Sequence, residues 1–184
     1  MRYLLINDEN IKLMSVKENT DFNVKKLLNN DILNQSQSIR FGKIFQKFIK
    51  GLITSKGYEL INENLLDIYE TGGTTKKGKK DLDICFIKEN TIFYFESKLN
   101  LNLDSEKSKA TDNKILDITN YLIDKNKDLN VFSGIITCWW EKEEGLSITT
   151  KTNLIFFKDF LEILSIESTK EEYYNLMSEF GSMI

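Results

Sequence analysis

Residues 81–98 read DLDICFIKENTIFYFESK, two apolar runs separated by a short polar segment. Runs rich in isoleucine, phenylalanine and tyrosine on either side of such a segment are typical of a β-hairpin. If Glu89 and Asn90 form a two-residue loop, Lys88 pairs with Thr91. The sequence therefore predicts two antiparallel strands whose side chains can be paired by counting outward from the loop.

The same count places two carboxylates opposite each other, because Asp83 then faces Glu96 and Asp81 faces Lys98. Directly opposed like charges destabilise a sheet by a few tenths of a kcal/mol to about 1 kcal/mol. A nearby cation is therefore expected to compensate, and a bound metal ion beside Lys98 would do so. The alternative is purely structural, with Lys98 forming an ion pair with Asp81 at the strand end.

The sequence contains no histidine among its 184 residues. This excludes Ser/His/Asp and Cys/His triads, histidine-bound zinc, and nucleases that use histidine as a general base. Cys85 and Cys138 lie in separate apolar runs, so we expect them in the core of a protein from a reducing compartment. Carboxylates, lysines and hydroxyls remain as candidates for chemistry.

The length and the hydrophobic content of 41% suit one domain, residues 1–184, with a sizeable core. No apolar run is long enough for a signal peptide or a membrane span. These features predict a soluble, cytoplasmic protein. Trp139 and Trp140 could stack on bases, but we expect Trp139 inside the core and Trp140 partly exposed.

Charge is distributed unevenly along the chain, although the net charge is only −3. The segment from Ser38 to Lys56 has five basic residues and no acid, whereas the charged residues from Asp159 to Glu179 are mostly acids. A nucleic-acid partner is compatible with this pattern, because phosphate contact depends on where the lysines lie. The alternative is an ordinary solvated helix face.

Hydrophobic periodicity divides the chain into strands and helices. Strands are predicted at Leu65–Glu70, Leu82–Ile87, Ile92–Ser97, Val131–Trp139 and Thr152–Phe157. Helices are predicted at Ser38–Lys56, about Ser105–Lys125, Lys158–Ile166 and Lys170–Phe180. A strand, a helix and a strand in this order imply a right-handed crossover that places 131–139 parallel to 92–98. The predicted class is α/β (α+β), with a central mixed β-sheet flanked by helices.

The strand directions bring several charged residues to one edge of this sheet. Strand 65–70 runs toward that edge, strand 81–87 leaves it and strand 92–98 returns to it. The groups expected there are Glu70, Asp83, Glu96 and Lys98, a cationic loop at 71–80 with Lys76, Lys77, Lys79 and Lys80, and the N-terminus of the 105–125 helix with Lys107 and Lys109. The lysines and the helix N-terminus suit a phosphate. The alternative for the loop is a hairpin connection with solubilising lysines.

Such an edge suits phosphodiester hydrolysis. Mg²⁺ prefers oxygen ligands, commonly one or two carboxylates completed by water and substrate phosphate, and Asp83 and Glu96 would supply the carboxylates. Lys98 points to the same face as Glu96, where it could position or deprotonate the attacking water or stabilise the transition state. Glu70 could serve as an auxiliary acid.

These residues resemble the PD-(D/E)xK nuclease superfamily, whose core is the restriction-endonuclease-like fold. Leu82-Asp83 stands where the family has Pro-Asp, and Glu96-Ser97-Lys98 matches the (D/E)xK element. The resemblance covers about 38–140, as a helix, a three-strand antiparallel meander, a crossover helix and a fourth strand, and leaves 1–37 and 141–184 as peripheral elements. Residues 96–109 look most like type II restriction endonucleases. The resemblance implies a Mg²⁺-dependent enzyme of bacterial or archaeal cells that cleaves double-stranded DNA as a homodimer and leaves 5′-phosphate ends.

Two positions depart from the family pattern. Leu82 replaces the proline, a common variation that leaves the ligand in place. Many members carry a glutamate on the first helix that reaches the metal, and Gln46 occupies the corresponding place here as a natural substitute, an engineered change or a surface residue. Two other functions stay open: a DNA repair or junction-resolving nuclease on the same core, and a non-catalytic DNA-binding or assembly module.

Overall fold

A hairpin and a strand that runs parallel to its second arm form the centre of the fold. The computed structural model describes residues 27–29, 34–61, 64–69, 77–99, 101, 105–142 and 150–183. None of the helices in these ranges is both long and apolar enough to cross a membrane. The elements are, in chain order, α1 (Gln35–Ser55), β1 (Glu59–Leu60), β2 (Asn64–Tyr69), β3 (Lys77–Asp81), β4 (Ile84–Lys88), β5 (Thr91–Ser97), α2 (Ser105–Lys125), β6 (Asn130–Ile136), β7 (Leu154–Ile155), α3 (Phe157–Ile163) and α4 (Lys170–Met183).

The β4–β5 hairpin has the predicted register. Lys88 pairs with Thr91 next to the loop, and the ladder continues to Ile84 opposite Phe95. Glu89 turns the chain with a φ of 54°, a left-handed conformation of the kind that tight hairpin loops require. The ladder ends with Ile84 opposite Phe95. Asp83 precedes Ile84 and Glu96 follows Phe95, so the two acids come next to each other where the ladder ends.

The central sheet has five strands in the order β1-β4-β5-β6-β7. β4 and β5 are antiparallel, whereas β6 lies parallel to β5 with Thr91 opposite Asn130 and Ser97 opposite Ile136. Helix α2 connects these two strands, with the bounds that the periodicity predicts. The predicted α/β class, with a central mixed sheet flanked by helices, is confirmed, as is the parallel crossover.

The predicted first strand of the meander is wrong. β1, rather than 65–70, lies beside β4, and the chain continues the contact where Ile61 N donates to Cys85 O at 2.8 Å. Strand β2 instead pairs with β3 in a separate two-stranded sheet, in which Tyr69 lies opposite Lys77. The predicted strand had the right location but the wrong partner, because β1, just before it in the chain, already occupies that edge of β4.

The predicted loop at 71–80 is also wrong in its second half, because residues 77–81 form β3. These residues read KGKKD and lack the apolar alternation that marks a half-buried strand. Backbone hydrogen bonds to β2 need no apolar side chains, so the pairing forms where the sequence pattern predicts a loop. Lys77, Lys79 and Lys80 consequently belong to a strand.

Two predicted strands are shorter than expected. The strand predicted at 131–139 ends at Ile136, and the one predicted at 152–157 is reduced to Leu154–Ile155. Helix α3 starts immediately afterwards, where Phe156 N donates to Asp159 Oδ2 at 3.2 Å. This capping contact turns the chain into a helix before a longer strand can form.

The core lies between the sheet and the helices. Helix α1 buries the side chains Phe41, Phe45, Phe48, Ile49, Leu52 and Ile53 and ends where Gly57 adopts a φ of 78°. Cys85 and Cys138 are buried and form no disulfide, as predicted. Trp139 is buried as predicted, but Trp140 is only 7% exposed, so its predicted partial exposure is wrong. Its ring packs 5.7 Å from that of Tyr173 on α4, a contact that sequence periodicity does not reveal.

Gly134 in β6 permits a close backbone contact that a side chain would break. A Cβ at this position would lie 2.6 Å from the carbonyl oxygen of Asn153, and that oxygen accepts a hydrogen bond from Ile135 N at 2.8 Å. We expect Gly134→Ala to lower the free energy of unfolding by about 1–3 kcal/mol, because the added methyl overpacks this contact. Urea unfolding measures the change.

The matched control is Gly42→Ala on α1, where the new Cβ would make an ordinary contact at 3.4 Å with Leu99 Cδ1. Alanine is the better helix former, so the control should be as stable as the wild type or more stable. If Gly134→Ala were as stable as the wild type, the backbone at Asn153 would move away from the new methyl at little cost, and the prediction would be wrong.

Candidate active site

Asp83 and Glu96 meet across the central hairpin, as its register predicts. Asp83 directly precedes β4, and Glu96 is the penultimate residue of β5. Asp83 Oδ2 accepts a hydrogen bond from Ser97 N at 3.0 Å, which fixes the carboxylate against the neighbouring strand. Glu96 is only 4% exposed. A half-buried and a buried acidic side chain therefore lie together where β4 begins and β5 ends.

Three polar side chains surround the Glu96 carboxylate. Lys98 Nζ lies 3.1 Å from Oε1, and Lys114 Nζ lies 2.6 Å from Oε2. The Tyr94 hydroxyl donates to Oε2 at 3.2 Å. Both oxygens of the carboxylate thus have a cationic partner, and Oε2 has a neutral donor as well. We call Asp83, Glu96, Lys98 and Lys114 the carboxylate site.

Lys98 contacts Glu96 rather than Asp81. Its ammonium contacts Glu96, two residues earlier on the same face of β5. Within the described ranges, no ion pair joins Lys98 to Asp81, whose side chain is exposed. The structural alternative for Lys98 is therefore not the arrangement found here.

The two carboxylates differ in their proton affinities. Burial and the charge of Glu96 raise the pKa of Asp83. Burial also opposes ionisation of Glu96, but the ammonium groups of Lys114 and Lys98 outweigh it and hold the Glu96 pKa below its usual range. Burial and the two carboxylates raise the pKa of Tyr94, so its phenol stays protonated and donates to Glu96.

Lys114 is the site residue that sequence reasoning missed. It lies on α2, where the triplet Asp112-Asn113-Lys114 looks like part of a solvated helix surface. The signal that could have found it is its position beside the buried face of the helix, next to Ile115. A lysine at the margin of that face can reach the strand below it.

Contacts on both sides of Lys114 hold α2 against the sheet. Thr119 Oγ1 donates to Ser133 Oγ of β6 at 2.8 Å. Asp112 accepts hydrogen bonds from the hydroxyls of Thr150 and Thr152, just before β7. These contacts hold the segment of α2 that carries Lys114 against the sheet.

The other predicted site residues are not joined to the carboxylates. Gln46 is half-buried on α1, and no hydrogen bond within the described part of the chain links it to Asp83 or Glu96. Glu70 and Lys76 lie outside the described residues. The backbones of Lys77, Lys79 and Lys80 lie on β3, and Lys107 and Lys109 are exposed near the start of α2. Their predicted contacts with DNA phosphates stay predictions.

The donor atoms of the carboxylate site suit a hard cation such as Mg²⁺. Asp83 and Glu96 offer carboxylate oxygens, the ligand type that Mg²⁺ prefers, and the ion commonly needs only one or two of them. In the ranges that the structure describes, no group of three or more acidic or cysteine side chains could hold a metal ion. Water and substrate oxygens would have to complete the coordination of an ion bound here.

Comparisons with known proteins do not identify a family. No protein-family profile matches the chain, and no curated protein matches it in sequence. A solved structure of the small subunit of a heterodimeric restriction endonuclease matches with a TM-score of 0.42 and 8% identity, over 87% of this chain and 86% of that chain. A similarity of this size identifies neither a family nor an activity.

Proposed function

We propose that the carboxylate site hydrolyses phosphodiester bonds of double-stranded DNA with the help of Mg²⁺. The observation that carries the proposal is the meeting of two partly or fully buried carboxylates with the ammonium groups of Lys98 and Lys114. Acids that only stabilised the fold would not need to face each other, and burial together with the charge of Glu96 raises the pKa of Asp83. Such opposed charges at a sheet edge are better explained by a function.

Each residue has a role in this proposal. Asp83 and Glu96 would hold the ion, which would neutralise negative charge on the phosphate and lower the pKa of a bound water. The ammonium of Lys98, next to the Glu96 carboxylate, would orient the attacking water and stabilise the negative charge that develops on the phosphate. Tyr94 keeps the Glu96 carboxylate in position through its hydroxyl.

The finer assignment rests on the motif resemblance alone. Leu82-Asp83 and Glu96-Ser97-Lys98 support a sequence-specific type II restriction endonuclease that acts as a homodimer in the cytoplasm and leaves 5′-phosphate ends. Lys76, Lys77, Lys79, Lys80, Lys107 and Lys109 are proposed to contact DNA phosphates. Lysines on a strand and near a helix start can serve this purpose without a mobile loop.

The removal of Lys98 tests the catalytic assignment. We expect the wild type to cleave supercoiled plasmid or phage DNA with Mg²⁺ and to stop when EDTA is added. Lys98→Ala should lower the cleavage rate by roughly 10²–10⁴-fold, the usual contribution of a positioned acid–base group. Agarose gels of a time course measure both effects.

Lys127→Ala is the matched control, because Lys127 is exposed beyond the end of α2 and the charge change is the same. It should cleave like the wild type. If Lys98→Ala cleaved as fast as the wild type, Lys98 would have no catalytic role. If the wild type cleaved no DNA of any sequence tried, the proposal that the protein is a nuclease would be wrong.

A further inference from the structure

The pairing of Glu96 with Lys114 bears on how a cation could enter the carboxylate site. Lys114 Nζ is 2.6 Å from Glu96 Oε2, closer than Lys98 Nζ is to Oε1 at 3.1 Å. A divalent ion that binds Glu96 needs an oxygen of the same carboxylate. The two lysines are therefore ion-paired with both carboxylate oxygens that such an ion would need as ligands.

The charges of the site add up to zero. Asp83 and Glu96 contribute two negative charges when both are ionised, and Lys98 and Lys114 contribute two positive charges. A divalent ion added to this set would leave a net charge of two at a largely buried place, which is unfavourable. Entry of the ion requires a lysine to withdraw or an anionic phosphate to arrive.

Lys114 is the better candidate for withdrawal. The side chains of Lys114 and Lys98 are similarly exposed, at 28% and 30%, so both ammonium groups have a path to solvent. Lys114 differs because it comes from α2, on the opposite side of the carboxylate from the strand that carries Glu96. When Lys114 moves away, Tyr94 still donates to Oε2 and keeps the carboxylate oriented. Lys98 directly follows β5, two residues after Glu96, where the proposed function requires it.

We propose that Lys114 is a built-in counter-cation of Glu96 that a divalent ion must displace, so that the ion binds weakly until a substrate phosphate joins it. This inference rests on the proposed function for the identity of the ion and of the phosphate. The displaced ammonium stays close to the site, where it adds a positive charge for the anionic substrate. Lys114 thus lowers the affinity of the site for the metal ion when no DNA is bound, so that the ion binds mainly together with DNA.

The test is a measurement of Mg²⁺ affinity, without DNA, by isothermal titration calorimetry. Lys114→Met removes the competing charge, so we expect it to bind Mg²⁺ about tenfold more tightly than the wild type does. A lysine with only a structural role would give the opposite sign, because a loosened site binds metal more weakly. If Lys114→Met does not fold by circular dichroism, Lys114→Gln, which keeps a polar group but no charge, takes its place.

Lys127→Met is the control for net charge and should leave the Mg²⁺ affinity unchanged. An affinity of the Lys114 variant equal to or weaker than that of the wild type would overturn the inference, and so would a lack of Mg²⁺ binding by both proteins. The outcome is separate from that of the cleavage assay. Tighter binding by the variant without any cleavage would leave Lys114 as the counter-cation and reject only the nuclease, whereas cleavage with no change in affinity would reject only the inference.

Discussion

Asp83→Asn is expected to make the protein more stable and to slow DNA cleavage by about 10³-fold. Burial and the neighbouring Glu96 raise the pKa of Asp83, so its ionised form is costly in the folded state. Asparagine has nearly the same shape, can still accept the hydrogen bond from Ser97 N, and carries no charge. We expect a gain of about 1 kcal/mol in the free energy of unfolding at neutral pH, the scale of opposed like charges in a sheet.

The pH dependence of this gain follows from the direction of the pKa shift. Below the unfolded pKa of Asp83, 3.8, the acid is protonated in both states and costs nothing. The cost appears as the pH rises above that value and is complete above the raised folded pKa. The stability difference between Asp83→Asn and the wild type should therefore be full at neutral pH and vanish in acid.

Loss of activity should accompany the gain in stability. An amide is a poor ligand for Mg²⁺ in place of a carboxylate, and we expect the cleavage rate to fall by about 10³-fold, as several kcal/mol of metal stabilisation are lost. Urea unfolding and cleavage assays on the same preparation measure both. Asp81→Asn, an identical change at an exposed position, should alter neither. A less stable Asp83→Asn would contradict the electrostatic account.

Glu96→Gln is expected to slow cleavage as well, but to destabilise the fold. The ammonium groups of Lys114 and Lys98 lower the Glu96 pKa in spite of burial, so its ionised form stabilises the folded state. The neutral amide loses two charge-assisted contacts, and we expect the free energy of unfolding to fall by roughly 1–3 kcal/mol at neutral pH. The two neighbouring carboxylates thus have opposite effects on stability and the same effect on activity.

The stabilisation by Glu96 should be present above its unfolded pKa of 4.5 and lost as the pH falls through the lowered folded value. The difference between Glu96→Gln and the wild type should therefore shrink below that unfolded value. Chemical unfolding across this range gives the result directly. Glu106→Gln, at an exposed position in the first turn of α2, is the control. If Glu96→Gln proved as stable as the wild type at neutral pH, its two lysine contacts would carry no net energy.

The hairpin could be predicted in detail because every part of its signal is local. Two apolar runs and a short loop define the register, and the register alone puts Asp83 beside Glu96. The crossover helix follows from a second local signal, the helical spacing of Ile115, Ile118 and Leu122. Local patterns of this kind determine which strand face a residue occupies, and they therefore suffice to bring Asp83, Glu96 and Lys98 together.

The remaining parts depend on contacts that no local pattern contains. The pairing of β2 with β3 uses the backbone of a lysine-rich segment, and β1 occupies the edge of β4 that β2 was predicted to join. Lys114 belongs to the site only because α2 docks at a particular rotation against β5 and β6. Trp140 is buried because α4 returns to cover it with Tyr173. Each of these outcomes is set by tertiary packing rather than by periodicity.

The most direct test of the central claim is to sequence the ends of DNA incubated with the purified protein and Mg²⁺. The wild type should produce new 5′-phosphate ends at a short recurring sequence, and these should be absent with EDTA and from Asp83→Asn. Asp81→Asn should give the same ends as the wild type. New ends that persist unchanged in Asp83→Asn, or no new ends from the wild type, would contradict the assignment of hydrolysis to the carboxylate site.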